Sequence, residues 1–262
     1  MPRFCGSLII LVALSFLQQP NLASAAEKQA TRTFDANGVK IRYFVQGKGQ
    51  PVVLIHGWLS SVELNWVLPG ITASLTKKYR VIALDVRGHG QSDKPANEDA
   101  YGPELVEDVV RLLDHLKIKR AHIVGYSMGG IIAGNLMVKH PDRVLSGTLG
   151  GMGWLKAGGI ARFGFSMIGK NDPDAKAHAV CGRSLAKLAL TEKEIKSIRV
   201  PVTVLVGEKD NHIKKLYVEP LQQVRKDWPV IEIEDANHLS CILKTQFREE
   251  IARWLAKQKM KE

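Results

Sequence analysis

Gly125-Tyr126-Ser127-Met128-Gly129 has the spacing G-x-S-x-G. Glycines on either side of a serine permit a sharp turn that lifts the hydroxyl clear of its own backbone. Where a strand enters that turn and a helix leaves it, the helix N-terminus adds a positive dipole end beside the oxygen. Such a serine serves nucleophilic acyl transfer. That chemistry needs a base to take the hydroxyl proton, an acid to orient the base, and donors for a developing oxyanion.

Eight histidines could supply the base, at 56, 89, 115, 122, 140, 178, 212 and 238. His115 and His140 fall on helical patterns and His122 begins a strand. His238 follows a short strand-like run in Asp235-Ala236-Asn237-His238, which places it in a loop. For the acid, Asp210 follows residues 202–206 (VTVLV) through Gly207-Glu208-Lys209. Asp210 is the preferred partner of His238, with Asp235 and Glu208 as the alternatives. The oxyanion donors expected are two backbone N–H groups. One is that of Met128, just after the serine. The other is that of Trp58, in the loop His56-Gly57-Trp58.

These residues meet only if the chain between them is built correctly. Residues 31–34 and 39–45 flank Asn37-Gly38, a strong hairpin signal. Residues 51–55 (PVVLI) and 81–85 (VIALD) are apolar on both faces, as buried parallel strands require. Further strands are predicted over 122–125, 144–149, 202–206 and 230–233. Helices are predicted over 104–116, 128–140, 212–228 and 242–257, with Pro220 kinking or splitting the third. Strand and helix alternate, so the expected class is α/β, a mostly parallel central sheet flanked by helices. In a parallel sheet the strand C-terminal ends share one edge. Ser127, Asp210 and His238 can therefore converge there. The stretch 153–199 breaks the alternation and is predicted to be a short helical cap, with Trp154, Phe163, Phe165, Met167 and Ile168 offering an apolar wall.

At 262 residues, 45% hydrophobic and 24% charged, the chain is neither disordered nor in need of a metal or disulfide to be stable. Arg3, the apolar run 8–17 (LIILVALSFL) and Ala23-Ser24-Ala25 form a secretory signal pattern. Residues 1–25 are therefore predicted to be removed, leaving one domain over 26–262 that is periplasmic or secreted. The apolar run is too short to span a bilayer, and no other is longer. The formal charge is +11, but the basic residues do not interleave with aromatics, so nucleic acid is not an expected partner. Cys181 and Cys241 could pair or stand singly. No cysteine pair has metal-ligand spacing, and Asp85, His89 and Asp93 form no recognisable ligand set. No metal or cofactor is expected.

His56-Gly57-Trp58, the stretch Asp85-Val86-Arg87-Gly88-His89-Gly90-Gln91-Ser92, Gly125-Tyr126-Ser127-Met128-Gly129-Gly130, Gly207-Glu208-Lys209-Asp210 and Asn237-His238 together resemble the α/β-hydrolase fold superfamily. They occur in its order of nucleophile, acid, histidine, and the likeness runs from about Val39 to Trp254. The resemblance implies a cofactor-free hydrolase of the serine branch, with the Asp85–Ser92 stretch shaping a loop near the site. Dehalogenases and epoxide hydrolases are similar but use aspartate at the elbow, where this chain has Ser127. The expected reaction is cleavage of a small carboxylic ester of short or medium acyl chain through an acyl-enzyme. Lactonase, perhydrolase and carbon–carbon bond hydrolase reactions on the same residues are alternatives. A silent small-ligand-binding module is the reading from another class.

Overall fold

The computed structural model describes residues 31–156, 169 and 171–258. The expected signal segment 1–25 lies outside them, as do Phe163, Phe165, Met167 and Ile168. Asn37 and Gly38 both adopt positive φ, and the Ala36 N–H donates to the Val39 carbonyl across them. This two-residue turn pairs β1 (Arg32–Asp35) with β2 (Lys40–Gln46) in antiparallel register. The chain continues through β3 (Gln50–Ile55), α1 (Ile71–Leu75), β4 (Tyr79–Leu84), α2 (Glu104–His115), β5 (Ala121–Tyr126), α3 (Met128–Lys139) and β6 (Val144–Gly150). It then forms α4 (Ala175–Ser184), α5 (Glu192–Ser197), β7 (Val202–Gly207), α6 (Asn211–Ile213), α7 (Glu219–Val224), β8 (Val230–Ile233) and α8 (Thr245–Lys257).

The eight strands form one sheet in the order β1-β2-β4-β3-β5-β6-β7-β8. Pairing is antiparallel at β1–β2 and β2–β4 and parallel from β4 onward. Both faces are covered, which explains the unbroken apolar runs. In β3, Val53 and Ile55 join the core beneath α2 and α3, while Val52 and Leu54 join the one beneath α1 and α8. All four are fully buried. The strand order reverses at β3. Its connection to β4 packs on one face, and the connection from β5 to β6 packs on the other. The crevice between the C-terminal ends of β3 and β5 is the position where sheets of this kind place their ligands.

Two helices differ from the sequence expectation. The stretch 212–228 is divided into α6, a single π-type turn Lys214–Val218 and α7, which ends before Arg225. Pro220, at the start of α7, has no N–H to continue an unbroken α ladder, and the wider turn just upstream absorbs the mismatch. The stretch 242–257 starts as a short 3₁₀ turn, Cys241–Leu243. Extended backbone at Lys244 then separates it from α8. The segment holding the π-type turn Glu63–Val67 and α1 carried no helical signal strong enough to predict. It is fixed by tertiary burial of Val62, Trp66, Ile71 and Leu75 against the sheet.

Within 153–199, the described part holds α4, a 3₁₀ turn Leu185–Leu188 and α5. Trp154 does not face outward as a wall. It is buried in the core that also holds α3, and its indole Nε1–H donates to the Leu190 carbonyl at 2.8 Å. Cys181 and Cys241 are both free and buried. Among the described residues no helix is long and apolar enough to cross a membrane.

Candidate active site

Ser127 sits between β5 and α3 with φ 52° and ψ −113°, a conformation non-glycine residues rarely hold. Its neighbours enforce it. The Ser127 N–H donates to the Gly150 carbonyl at 2.8 Å, and its own carbonyl accepts from the Gly130 and Ile131 N–H groups at 2.8 and 3.2 Å. Gly129 lies so close to β3 that an added β-carbon would collide with the Ile55 carbonyl. The turn is thus pressed against the strand whose following loop carries Trp58.

The imidazole of His238 bridges two side chains from distant segments. Its Nε2 lies 3.0 Å from Ser127 Oγ, and its Nδ1 lies 2.7 Å from Asp210 Oδ2. With Nδ1–H donating to the carboxylate, Nε2 is left as an acceptor facing the serine hydroxyl. Asp210 follows β7, where its N–H donates to the Gly207 carbonyl and its Oδ1 accepts from Ile213 N–H at 3.4 Å. Its carboxylate is buried, while His238 is half-buried. Asp235 and Glu208, the alternative acids, are directed elsewhere. Asp235 is exposed and pairs with Lys209 and Lys244, and the Glu208 carboxylate accepts from the Asp235 N–H.

The loop bearing His238 is tied down locally. Asn237 Oδ1 accepts from the N–H groups of Leu239 and Ser240, and the Cys241 N–H donates to the Asn237 carbonyl. The Tyr126 hydroxyl donates to the His238 carbonyl. Burial pushes the Tyr126 phenol well above its ordinary range, helped by the neighbouring Cys241 and Asp210, so it remains a donor. Burial likewise raises the Cys241 thiol to about 12.

Met128 begins α3, where first-turn N–H groups lack intrahelical acceptors. Across the crevice, a β-carbon at Gly57 would stand 3.4 Å from Ser127 Cβ, which shows how closely the loop after β3 approaches. The Gly57 N–H donates to Asn65 Oδ1 at 2.8 Å, and the Trp58 indole N–H donates to the His178 carbonyl on α4 at 2.9 Å. The Trp58 side chain therefore joins this loop to the 153–199 excursion.

Beneath that loop lies a buried polar frame. His56 Nδ1–H donates to the Gly57 carbonyl at 2.7 Å, and its Nε2 accepts from the Val86 N–H at 3.0 Å. One donor and one acceptor define a neutral ring. Burial lowers its pKa despite the nearby Asp85 carboxylate. Asp85 accepts from the N–H groups of Val62 and Gln91 at 2.9 Å each. Arg87 forms a bidentate pair with Asp108 at 2.6 and 2.5 Å, with both side chains buried. The Asp85–Ser92 stretch thus supports the loop from below. Asn65, Tyr126 and Asp108 escaped the sequence reading because nothing in local spacing marks a residue whose partner is made by the fold.

The alpha/beta hydrolase fold family matches residues 50–193. The 3-oxoadipate enol-lactonase 1 of Acinetobacter baylyi is 32% identical over 205 residues, covering 65% of this chain and 76% of that protein. The dihydrolipoyllysine-residue acetyltransferase component of the acetoin cleaving system of Pseudomonas putida is 39% identical over 129 residues, or 48% of this chain. That alignment spans only 34% of the relative's length. Among solved structures, the enol-lactonase from Burkholderia xenovorans superposes with a TM-score of 0.70 at 24% identity, covering 86% of this chain and all of that one.

Proposed function

The chain belongs to the alpha/beta hydrolase fold family, and we propose that within it the protein is a serine hydrolase that cleaves small carboxylic esters. The observation that carries this reading is the chain of contacts from Ser127 Oγ through His238 to Asp210, at 3.0 and 2.7 Å. Ser127 is the nucleophile. His238 Nε2 takes the hydroxyl proton as Oγ bonds to the ester carbonyl carbon. The oxyanion that forms is held by the Met128 and Trp58 N–H groups. Asp210 orients His238 and stabilises the imidazolium. Collapse breaks the bond to the alkoxy group, which leaves as the alcohol with the proton from His238. Water, deprotonated by the same nitrogen, then attacks the acyl-enzyme. The acid is released and the Ser127 hydroxyl is restored.

A second reading narrows the ester to a ring. The alignment with an enol-lactonase covers three quarters of that protein and favours a lactone. A lactone is a cyclic ester, so the chemistry is the same and only the leaving alcohol stays attached. Leu239, beside His238 and 70% exposed, offers an apolar contact for a short acyl chain. Export with cleavage after Ala25 is part of the proposal and is tested by N-terminal sequencing.

The test combines labelling with a substrate panel. A fluorophosphonate should label Ser127, and label on another residue would refute the assignment. Purified protein should hydrolyse aryl esters or lactones, with kcat/KM highest at short or medium acyl chains. Absence of turnover on every ester and lactone, with turnover on a carbon–carbon bond substrate, would overturn the ester reading.

A further inference from the structure

The edge of the sheet opposite Ser127 carries an open groove whose charge is all of one sign. Arg80 is the second residue of β4, Arg120 directly precedes β5, Arg199 precedes β7, and Lys257 closes α8. With Lys119 these five line one groove, together with Pro51, Ile118, Leu145 and Pro201. Among the described residues no carboxylate lines it. Among the described residues none of the five cationic groups makes an ion pair or a side-chain hydrogen bond. Elsewhere on the molecule some of the basic residues are held in ion pairs. Arg143 beside the groove is one example, held by Asp114 at 2.7 Å. Unpaired like charges held together repel one another, and an anionic surface relieves that repulsion.

From these observations we propose that this groove docks the protein on an anionic phospholipid surface. The partner chemistry follows from what lines the groove. Nucleic acid bound without sequence preference calls for aromatic platforms on which bases stack. Among the described residues the one aromatic ring here is His122, which is buried and engaged by Ser146 and Gln50. A lipid headgroup layer asks only for clustered Lys and Arg, with apolar groups such as Ile118 and Leu145 between them. The geometry also leaves the enzyme usable. Strands of about six residues put the groove roughly 20 Å from the opposite sheet edge. Ser127, Asp210 and His238 follow the C-terminal ends of β5, β7 and β8 at that opposite edge, so a docked molecule keeps its site open to dissolved substrate.

Co-sedimentation of the full chain with vesicles tests the proposal. The chain should bind vesicles containing phosphatidylglycerol in about 50 mM salt, bind pure phosphatidylcholine far more weakly, and be released by about 500 mM salt. Each basic residue lost should weaken binding about fivefold. The variant Lys119→Glu/Arg120→Glu/Arg199→Glu should therefore lose on the order of 100-fold or more. A control with the same change in net charge, Lys176→Glu/Lys193→Glu/Lys215→Glu, should lose far less. Both carry the same N-terminal apolar run, so their difference isolates the groove. The milder Lys119→Gln/Arg120→Gln must weaken binding in the same direction with an unchanged melting temperature, which guards against misfolding. Equal loss in the groove and control variants would overturn the proposal. So would binding that ignores salt and lipid charge, or groove-dependent binding to duplex DNA that is tighter than binding to the vesicles.

Discussion

The hydroxyl of Tyr126 donates to the backbone carbonyl of His238, joining the turn that holds Ser127 directly to the loop that holds its imidazole partner. The two rings also lie near one another, with centroids 5.7 Å apart. Ser127 and His238 are therefore positioned against each other by a strut between their own segments, as well as by the sheet beneath.

Removing that strut should loosen alignment without touching substrate. Tyr126→Phe is expected to lower kcat about fivefold while leaving KM within about twofold, because one hydrogen bond contributes roughly 1 kcal/mol and acts on the reacting geometry. Steady-state kinetics on one ester decide it. A rise in KM at constant kcat would place Tyr126 in substrate binding instead.

Ser127→Ala and His238→Ala should each reduce turnover on the order of 10⁴-fold or more in a folded protein. Asp210→Asn should follow, with a smaller loss. Asp235 is exposed and paired with Lys209 and Lys244, so Asp235→Asn should leave the rate within about twofold. Rate constants from matched, correctly folded variants give the comparison. A larger loss in Asp235→Asn than in Asp210→Asn would reverse the acid assignment.

Gly129→Ala should be severely destabilising. The new methyl meets the backbone carbonyl of Ile55, which cannot swing aside as a side chain would, so we expect at least about 3 kcal/mol lost. Chemical denaturation would show the midpoint shift. A variant as stable as the parent would mean that α3 can slide away from β3.

Acid should destabilise the fold through its buried histidines. His122 accepts from or donates to Ser146 and Gln50 at 2.8 and 3.1 Å, and burial lowers its pKa to about 4. The unfolded chain, with histidine near 6.5, binds that proton first. Stability is therefore full above about pH 6.5 and falls as pH drops toward 4, by about 3 kcal/mol from this residue. Burial depresses His56 and His89 in the same direction. In His122→Gln the decline between pH 6.5 and 4 should be shallower, even if the variant is less stable at pH 7. Denaturation midpoints across that range report it, and an unchanged slope would sink the argument.

The sequence by itself determined the order of elements and the serine turn. Apolar runs such as PVVLI and VTVLV are local, and so is the pairing of G-x-S-x-G with a preceding strand and a following helix. Position at a strand end was enough to single out His238 and to prefer Asp210, since parallel strands deliver their C-terminal ends to one edge. Tertiary structure alone decided what separates Asp210 from Asp235. Both follow neighbouring strands, but the first is turned inward to His238, whereas the second is held outward by Lys209. It alone decided that Trp154 packs against α3 and that Cys181 and Cys241 stand apart as free thiols. The supporting contacts Gly57–Asn65, Arg87–Asp108 and Tyr126–His238 also belong to the assembled molecule. Each joins residues brought together by packing, and periodicity along a chain carries no record of which surfaces meet once the sheet twists and the helices close over it.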